Sequence, residues 1–226
     1  MDQIVLDNVS RDYRVGSTSI AAVKNASLAI RKGAFVSIVG HSGSGKTTLL
    51  SLIGGMVVPT GGRVLFNGTD ITVWNSDLLS EYRCERIGFM FQSASLLPIL
   101  TAKENLLLPV AFRTHRPADS GYERRAEELL RSVGLGDKID AYPAHLSGGQ
   151  QRRVAIARAF MNDPELILAD EPTGDLDEET ENDMMRFFLR MNREHGTTFI
   201  MVTHNSDLAR QTQQHIRMHQ GMLLPA

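Results

Sequence analysis

The sequence lacks several features that mark particular classes of protein. It has one cysteine, which excludes an internal disulfide and suits a reducing compartment. It has no run approaching the ~20 apolar residues of a membrane-spanning helix, and its first residues, MDQIVLDNVS, include acidic groups where a signal peptide would be basic. With 24 Lys and Arg against 26 Asp and Glu, it also lacks the basic excess expected of a nucleic-acid binder. If the protein works at a membrane, we expect it to do so through a partner.

The sequence does have the composition of a globular protein, with 42% hydrophobic and 22% charged residues and no internal repeat. We expect a single domain over residues 1–226. Short apolar runs such as AFVSIVG and LILAD are typical of buried parallel strands. From about residue 93 to residue 160 the pattern indicates helices, which predicts a helical subdomain. Strands that alternate with helices elsewhere predict an α/β sheet covered on both faces.

Residues 40–48 read GHSGSGKTT and satisfy the phosphate-loop pattern G-x-x-x-x-G-K-[ST]. Amides from Gly43 to Thr48 can cradle phosphate oxygens, Lys46 can neutralise the terminal phosphates, and Thr47 offers a hydroxyl to Mg²⁺. The alternative is a flexible Gly/Ser loop. An apolar strand before the pattern and a helix after it favour the phosphate loop.

The segment LILADE places Asp170 and Glu171 at the carboxyl end of a strand, where open α/β sheets bind their ligands. Asp170 would join the Mg²⁺ shell, and Glu171 would orient or deprotonate the attacking water. Alone, the pair fits equally well the start of a turn before Pro172. The phosphate loop favours catalysis. His204 and Gln92, predicted at the ends of two further strands, are each more typical of structural residues when considered singly.

Residues 146–153 read LSGGQQRR, and the first five of them, LSGGQ, form a second anion-binding pattern. Its serine can cap a helix, and bare amides at the two glycines can face a ligand. In their order along the chain, GHSGSGKTT, Gln92, LSGGQ, LILADEP, Asp177 and His204 resemble the ATP-binding subunit of ABC transporters. In that family two subunits dimerise head to tail, and ATP lies between the phosphate loop of one and the LSGGQ of the other. The resemblance therefore assigns the second pattern to the partner's nucleotide.

The resemblance implies a P-loop NTPase core with a mixed, mainly parallel sheet, an N-terminal antiparallel β subdomain and a helical subdomain that carries LSGGQ. It implies ATP and Mg²⁺ as cofactors, and Asp177 would tie the two sites together. The implied catalytic residues are Glu171, His204, Lys46 and Gln92. The implied metal ligands are Thr47, Gln92 and Asp170. The implied ATP contacts are Tyr13, which would stack on adenine, Gly40, Ser42, Gly43, Ser44, Gly45, Lys46, Thr47, Thr48, Ser147, Gly148, Gly149 and Gln150.

A narrower resemblance rests on FQSASLLPILTAKENLLLP, LLSLIGGMVVPTGG and LADEPTGDLD, which are similar to segments of the ATPases of lipoprotein-release and macrolide-export systems. It implies a second copy of the chain and integral membrane permease subunits as partners, with an extracytoplasmic adaptor reached through the permease and no nucleic acid. The implied location is the cytoplasmic face of the bacterial inner membrane. His41 and Asp175 stand where proline and asparagine are common, which leaves the subgroup and the cargo open.

The alternative function is a soluble ABC ATPase that acts as an assembly or translation factor. Translation factors of this kind usually carry two ATPase domains in one chain, and the chromosome and repair ATPases carry long coiled coils. The sequence shows neither feature.

Two surface features are open at this stage. QQRR and Arg158 are expected to form a solvated basic helix face or to neighbour a phosphate. Leu96 and Leu97 fit either the core or a groove for a permease helix. His215 and His219 have i, i+4 spacing, but their segment alternates like a strand, so we expect no zinc site there.

Overall fold

The computed structural model describes residues 1–113 and 121–224, and the fold is built on two β-sheets. Within the described residues, no helix is both long enough and apolar enough to span a bilayer. The strands are β1 (Asp2–Val15), β2 (Thr18–Arg31), β3 (Phe35–Val39), β4 (Gly61–Phe66), β5 (Thr69–Asp70), β6 (Ile87–Met90), β7 (Leu166–Asp170), β8 (Thr198–Thr203), β9 (Gln214–His219) and β10 (Met222–Leu224).

The two sheets have different topologies. The first is antiparallel, with the strand order β2-β1-β4-β5. The second has the order β10-β9-β3-β8-β7-β6, and its strands run parallel except for β10, which pairs antiparallel with β9. The predicted combination of an N-terminal antiparallel sheet and a mixed, mainly parallel sheet is confirmed.

The helices connect and cover these sheets. They are α1 (Lys46–Ile53), α2 (Ser76–Glu85), α3 (Ala102–Ala111), α4 (Tyr122–Ser132), α5 (Gly148–Ala159), α6 (Glu178–His195) and α7 (Ser206–Ala209). The stretch expected to be helical contains α3, α4 and α5, and its bounds as a subdomain stay a prediction. Helix α2 was not predicted, because it buries only Tyr82 and so has no apolar stripe. Its start is fixed instead by Asn75, whose side chain accepts a hydrogen bond from Leu78 N at 3.0 Å.

The parallel sheet separates two apolar cores, and β8 shows how. All six of its residues are buried. Phe199 and Met201 lie in the core formed with α3, α4, α5 and α6, whereas Ile200 and Val202 lie in the core formed with α1 and the antiparallel sheet. Successive side chains of a strand point to opposite faces, so a strand buried on both faces is apolar throughout.

Strand register brings the polar ends of the parallel strands to one edge of the sheet. Val39 at the end of β3 pairs with Thr203 at the end of β8, and Asp170 at the end of β7 pairs with Val202. The segments that follow these strands therefore meet at this edge. Strand β6 ends at Met90, two residues earlier than predicted, so Gln92 lies in the following loop.

Candidate active site

The phosphate loop between β3 and α1 is held by glycines that allow close backbone approach. Gly45 caps α1 with φ +103°, and a Cβ there would lie 2.2 Å from the Ala22 carbonyl oxygen of β2. A Cβ on Gly40 would lie 2.3 Å from the Met218 carbonyl oxygen of β9. Larger residues would push the loop away from both strands. The pattern glycines thus fix the position of the loop at the edge of the sheet.

The side chains of the phosphate loop provide a positive charge and a hydroxyl group that suit a bound anion. Lys46 is buried, and its Nζ donates to the carbonyl oxygens of Gly40 at 2.7 Å and His41 at 3.0 Å. Ser44 is also buried, and its hydroxyl oxygen has no hydrogen-bond partner in the described residues. Buried polar atoms in native proteins almost always have a partner. A phosphate oxygen in the loop would supply one, so the residues present fit a nucleotide.

Asp170 and Thr47 form an oxygen pair beside the loop. Thr47 Oγ1 donates to Asp170 Oδ2 at 2.7 Å. Burial raises the pKa of the Asp170 carboxyl, and the hydrogen bond from Thr47 opposes this rise. The described residues contain no cluster of three or more His, Cys, Asp or Glu that could hold a metal alone. A carboxylate oxygen beside a hydroxyl oxygen fits Mg²⁺, which takes one or two protein ligands together with phosphate oxygens and water.

Glu171 follows β7 in an uncommon backbone conformation. Its φ is +46°, in the left-handed region that non-glycine residues rarely adopt. Its N–H donates to the Val202 carbonyl oxygen at 3.0 Å. Its carboxylate accepts from Thr203 Oγ1 at 3.2 Å and lies 2.9 Å from Nδ1 of His204. Strained residues of this kind cluster at functional sites, where their surroundings hold them.

These segments surround a cavity of about 860 Å³, a volume typical of small-molecule sites. Besides the phosphate loop, the resemblance implies five residues at the nucleotide of the same chain. Four of them line the cavity: Gln92, Asp170, Glu171 and His204. The phosphate loop contributes residues 42–48 and His41, whereas Gly40 packs behind them. The other lining residues are Ile20, Ala21, Ala22, Lys24, Gly174, Asp175, Gln220 and Gly221.

Most of these other lining residues belong to no motif that the sequence shows. Gln220 and Gly221 belong to the turn between β9 and β10, which reaches the site only through sheet pairing. Tyr13, the fifth candidate, does not line the cavity. It is half-buried, and the Arg11 guanidinium lies 4.7 Å from its ring centroid. Its strand partner Ile20 is the apolar residue that lines the cavity.

The LSGGQ segment lies outside the cavity. Ser147 caps α5, with its hydroxyl oxygen accepting from Gln150 N at 3.2 Å. The side chain of Gln150 accepts from Ser147 N at 2.9 Å, which completes a capping box. Ser147 and Gly148 are exposed, and Gly149 and Gln150 are half-buried. The second anion-binding pattern is thus formed but does not face the nucleotide cavity of its own chain.

Asp177 has a local structural role in the described chain. It caps α6, accepting from Thr180 N at 3.0 Å and from Thr180 Oγ1 at 2.7 Å. These hydrogen bonds lower the pKa of the Asp177 carboxyl. Its implied part in joining two sites stays a prediction.

The expectation of a solvated basic face is wrong for Arg152, the first arginine of QQRR. Its side chain is 3% exposed, and it donates to the carbonyl oxygens of Phe91 at 2.5 Å and Pro172 at 2.8 Å. It also donates to the carbonyl oxygens of Gln92 and Glu171. These carbonyls lie in loops that follow strands and lack ladder partners, so a buried guanidinium satisfies them. Sequence periodicity did not reveal this role.

The other surface features divide between core and solvent. Arg158 donates to the carbonyl oxygens of Ala94 and Ser95 at 3.1 and 3.0 Å, and so it is also not a free basic face. Leu96 is partly buried against the helical core, whereas Leu97 is 45% exposed. Leu96 therefore fits the core interpretation, whereas the groove for a permease helix stays a prediction for Leu97.

Residues 23–174 match the family model described as ABC transporter. The chain belongs to the ABC transporter family. A similar solved structure is the dimeric post-hydrolysis ATP-binding cassette MJ0796 bound to ADP and Pi, with a TM-score of 0.92 and 42% identity, covering 97% of this chain and 96% of that one. The predicted ATP-binding cassette is thereby confirmed, and with it an ATPase of the transporter class.

Two relatives of this ABC cassette differ in how much of their length it covers. The lipoprotein-releasing system ATP-binding protein LolD 1 of Rhodopseudomonas palustris is 43% identical over 223 residues, 98% of each chain. The macrolide export ATP-binding/permease protein MacB of Syntrophobacter fumaroxidans is 41% identical over 225 residues, which are 100% of this chain and 32% of that protein. The chain thus spans about a third of this longer relative.

Proposed function

We propose that this cassette hydrolyses Mg-ATP in a head-to-tail dimer with a second copy and so drives movement of a separate membrane permease. The observation that carries the dimer is the separation of the two anion-binding patterns. Lys46 lines the cavity, whereas Ser147 to Gln150 lie outside it and include exposed residues. A symmetric two-fold dimer gives both patterns a nucleotide and makes two equal sites from one sequence. The dimer of the cassette MJ0796 supports this arrangement.

In the proposed reaction the phosphate loop binds the phosphates of ATP. The residues that follow β7 and β8 promote the attack of water on the terminal phosphate. Thr47, Asp170 and Gln92 would hold Mg²⁺, which when bound offsets charge on the phosphate oxygens. Glu171 takes a proton from the attacking water or orients it. His204, in contact with that carboxylate, stabilises charge that develops on the terminal phosphate.

A second cavity offers the permease a docking place. It has a volume of about 640 Å³ and lies between α2, β6 and α3, with Phe91, Leu108 and Phe112 among its lining residues. Phe91 and Phe112 are 45% and 75% exposed, and Leu97 is exposed nearby in sequence. A cytoplasmic helix of the permease with an apolar face fits such a groove. Because Gln92 follows Phe91 directly, a docked helix would be linked to the nucleotide cavity.

This docking implies the rest of the assembly. The cassette would lie at the cytoplasmic face of the bacterial inner membrane and be held there by the permease, which also provides the route to any extracytoplasmic adaptor. LolD and MacB are named for lipoprotein release and macrolide export. We place this chain with such systems, as a subunit for export, lipoprotein release or mechanical transmission across the membrane.

Mixed dimers test the composite site. A Lys46→Ala protomer lacks a working phosphate loop, and a Ser147→Arg protomer lacks a working second pattern. Paired, they retain one intact site, so steady-state phosphate release should recover to roughly half of the wild-type rate per dimer. Each variant alone is the control and should be nearly inactive. Confirmed heterodimers that are no more active than either variant alone would contradict the head-to-tail arrangement.

A further inference from the structure

One buried side chain joins the helix of the second pattern to both catalytic loops. Arg152 lies in the second turn of α5, five residues after Ser147. Its Nη1 donates to the carbonyl oxygens of Phe91 and Gln92, its Nη2 to that of Glu171, and its Nε to that of Pro172. The guanidinium thus connects two loops that follow different strands of the parallel sheet.

We propose that Arg152 is a positioning residue for hydrolysis, which fixes the main chain at Gln92 and Glu171 so that both side chains face the nucleotide cavity of their own protomer. A planar guanidinium presents several donors in a fixed fork, so it sets the separation of the two loops as well as satisfying them. Arg152 itself does not line the cavity.

Two details distinguish this contact from ordinary packing. Two of the four held carbonyls belong to Gln92 and Glu171, which carry the proposed metal contact and the proposed base, and the other two belong to the residues directly next to them. Glu171 also has a left-handed backbone, which needs outside support to persist. The neighbouring Arg153 provides a comparison, since its Nη1 donates to the carbonyl oxygens of Val133 at 2.9 Å and Gly134 at 3.4 Å, away from both loops.

The test rests on the proposed head-to-tail dimer and uses mixed dimers with one working site. The first protomer carries Ser147→Arg and supplies the working phosphate loop, and the second carries Lys46→Ala and supplies the working serine. Arg152→Gln is placed in either protomer. In the first it should lower kcat on the order of 10- to 100-fold, as misplaced catalytic groups do, with KM for ATP little changed. In the second it should leave kcat nearly unchanged, because that protomer's Glu171 serves the inactive site.

Two further variants separate positioning from stability. Arg153→Gln in the first protomer is the matched control, and its kcat should stay near that of the parent mixed dimer. Arg152→Lys keeps the charge without the fork and should recover part of the lost kcat. If Arg152→Gln does not fold, by circular dichroism, the Arg152→Lys variant replaces it, with a smaller loss of kcat expected in the first protomer only.

The outcomes are distinct. Equal loss in both placements, or no loss in the first, would overturn the positioning role. A parent mixed dimer without activity would instead count against the proposed dimer. In that case kcat is compared for Arg152→Gln and Arg153→Gln in the chain without the other substitutions. Equal kcat values would overturn the role of Arg152.

Discussion

Replacing Glu171 by Gln separates nucleotide binding from turnover. The amide keeps the size of the side chain, and its oxygen can still accept a hydrogen bond from Thr203 or His204. It cannot take a proton from water. The donors that face the phosphates belong to the phosphate loop and are unchanged, so we expect the affinity for ATP to change by less than about threefold, or ~0.7 kcal/mol.

The loss of turnover follows from the loss of the base. General base catalysis contributes about 10²- to 10⁴-fold, which at 1.36 kcal/mol for each tenfold corresponds to roughly 3–5 kcal/mol of activation free energy. The kcat for ATP should fall by that factor. Because bound ATP then persists, the variant should accumulate as an ATP-bound dimer.

Two measurements check this prediction. Phosphate release gives kcat, and size exclusion in Mg-ATP gives the oligomeric state. Glu194→Gln is the control, since Glu194 is exposed near the end of α6 and should leave both unchanged. Near-wild-type turnover by Glu171→Gln would refute the assignment of the base. A strictly monomeric elution at high protein concentration, with nucleotide bound, would refute the head-to-tail dimer.

Three further variants test other parts of the molecule. Lys46→Ala should weaken ATP binding and lower phosphate release at least ~100-fold, since the loop loses its matched cation. Phe112→Asp, at a 75% exposed residue that lines the proposed docking groove, should abolish co-purification with a membrane permease while ATPase activity stays near wild type. Val73→Asp, at a 78% exposed site outside the groove, should change neither, and normal co-purification of Phe112→Asp would contradict docking there. Glu165→Gln should lower stability at neutral pH by about 1 kcal/mol. Burial would raise the pKa of Glu165, but hydrogen bonds from Arg86 and Asn67 hold it below its usual value. The stability that these bonds provide is lost as the pH falls through the lowered pKa. Thermal melts of the variant and the wild type should therefore converge in acid.

The fold could be predicted where local pattern and tertiary environment agree. Apolar runs such as LILAD become β7 because both faces of that strand are buried. Helix α2 could not be predicted in this way, since it has one buried residue and a capping residue but no apolar stripe. Strand β1 also extends to 14 residues, well beyond the short alternating run IVLDNV, because β2 pairs with it along its whole length.

The site could be predicted as far as its motifs reach. The segment GHSGSGKTT and the pair Asp170 and Glu171 carry their chemistry in local sequence, and register then brings them together. Ile20, Gln220 and Arg152 carry no such pattern. The first two reach the cavity through strand pairing. The pattern around Arg152 predicts a solvated helix face or a neighbour of a phosphate, because charged residues on helices are mostly exposed, whereas its side chain is buried. Long-range contacts decide these three cases.

The position of the proposed base depends on more than one element of the fold. Glu171 is held through its N–H by Val202, through its carboxylate by Thr203 and His204, and through its carbonyl by Arg152. The first three holders belong to β8 or follow it, whereas the fourth belongs to α5. The phosphate loop, by contrast, packs on β2 and β9, where Gly45 and Gly40 approach the carbonyl oxygens of Ala22 and Met218. A rotation of α5 relative to the sheet would therefore displace the base while leaving the phosphate cradle in place. Hydrolysis should for this reason respond more strongly than ATP binding to any partner that moves the helical part of the chain.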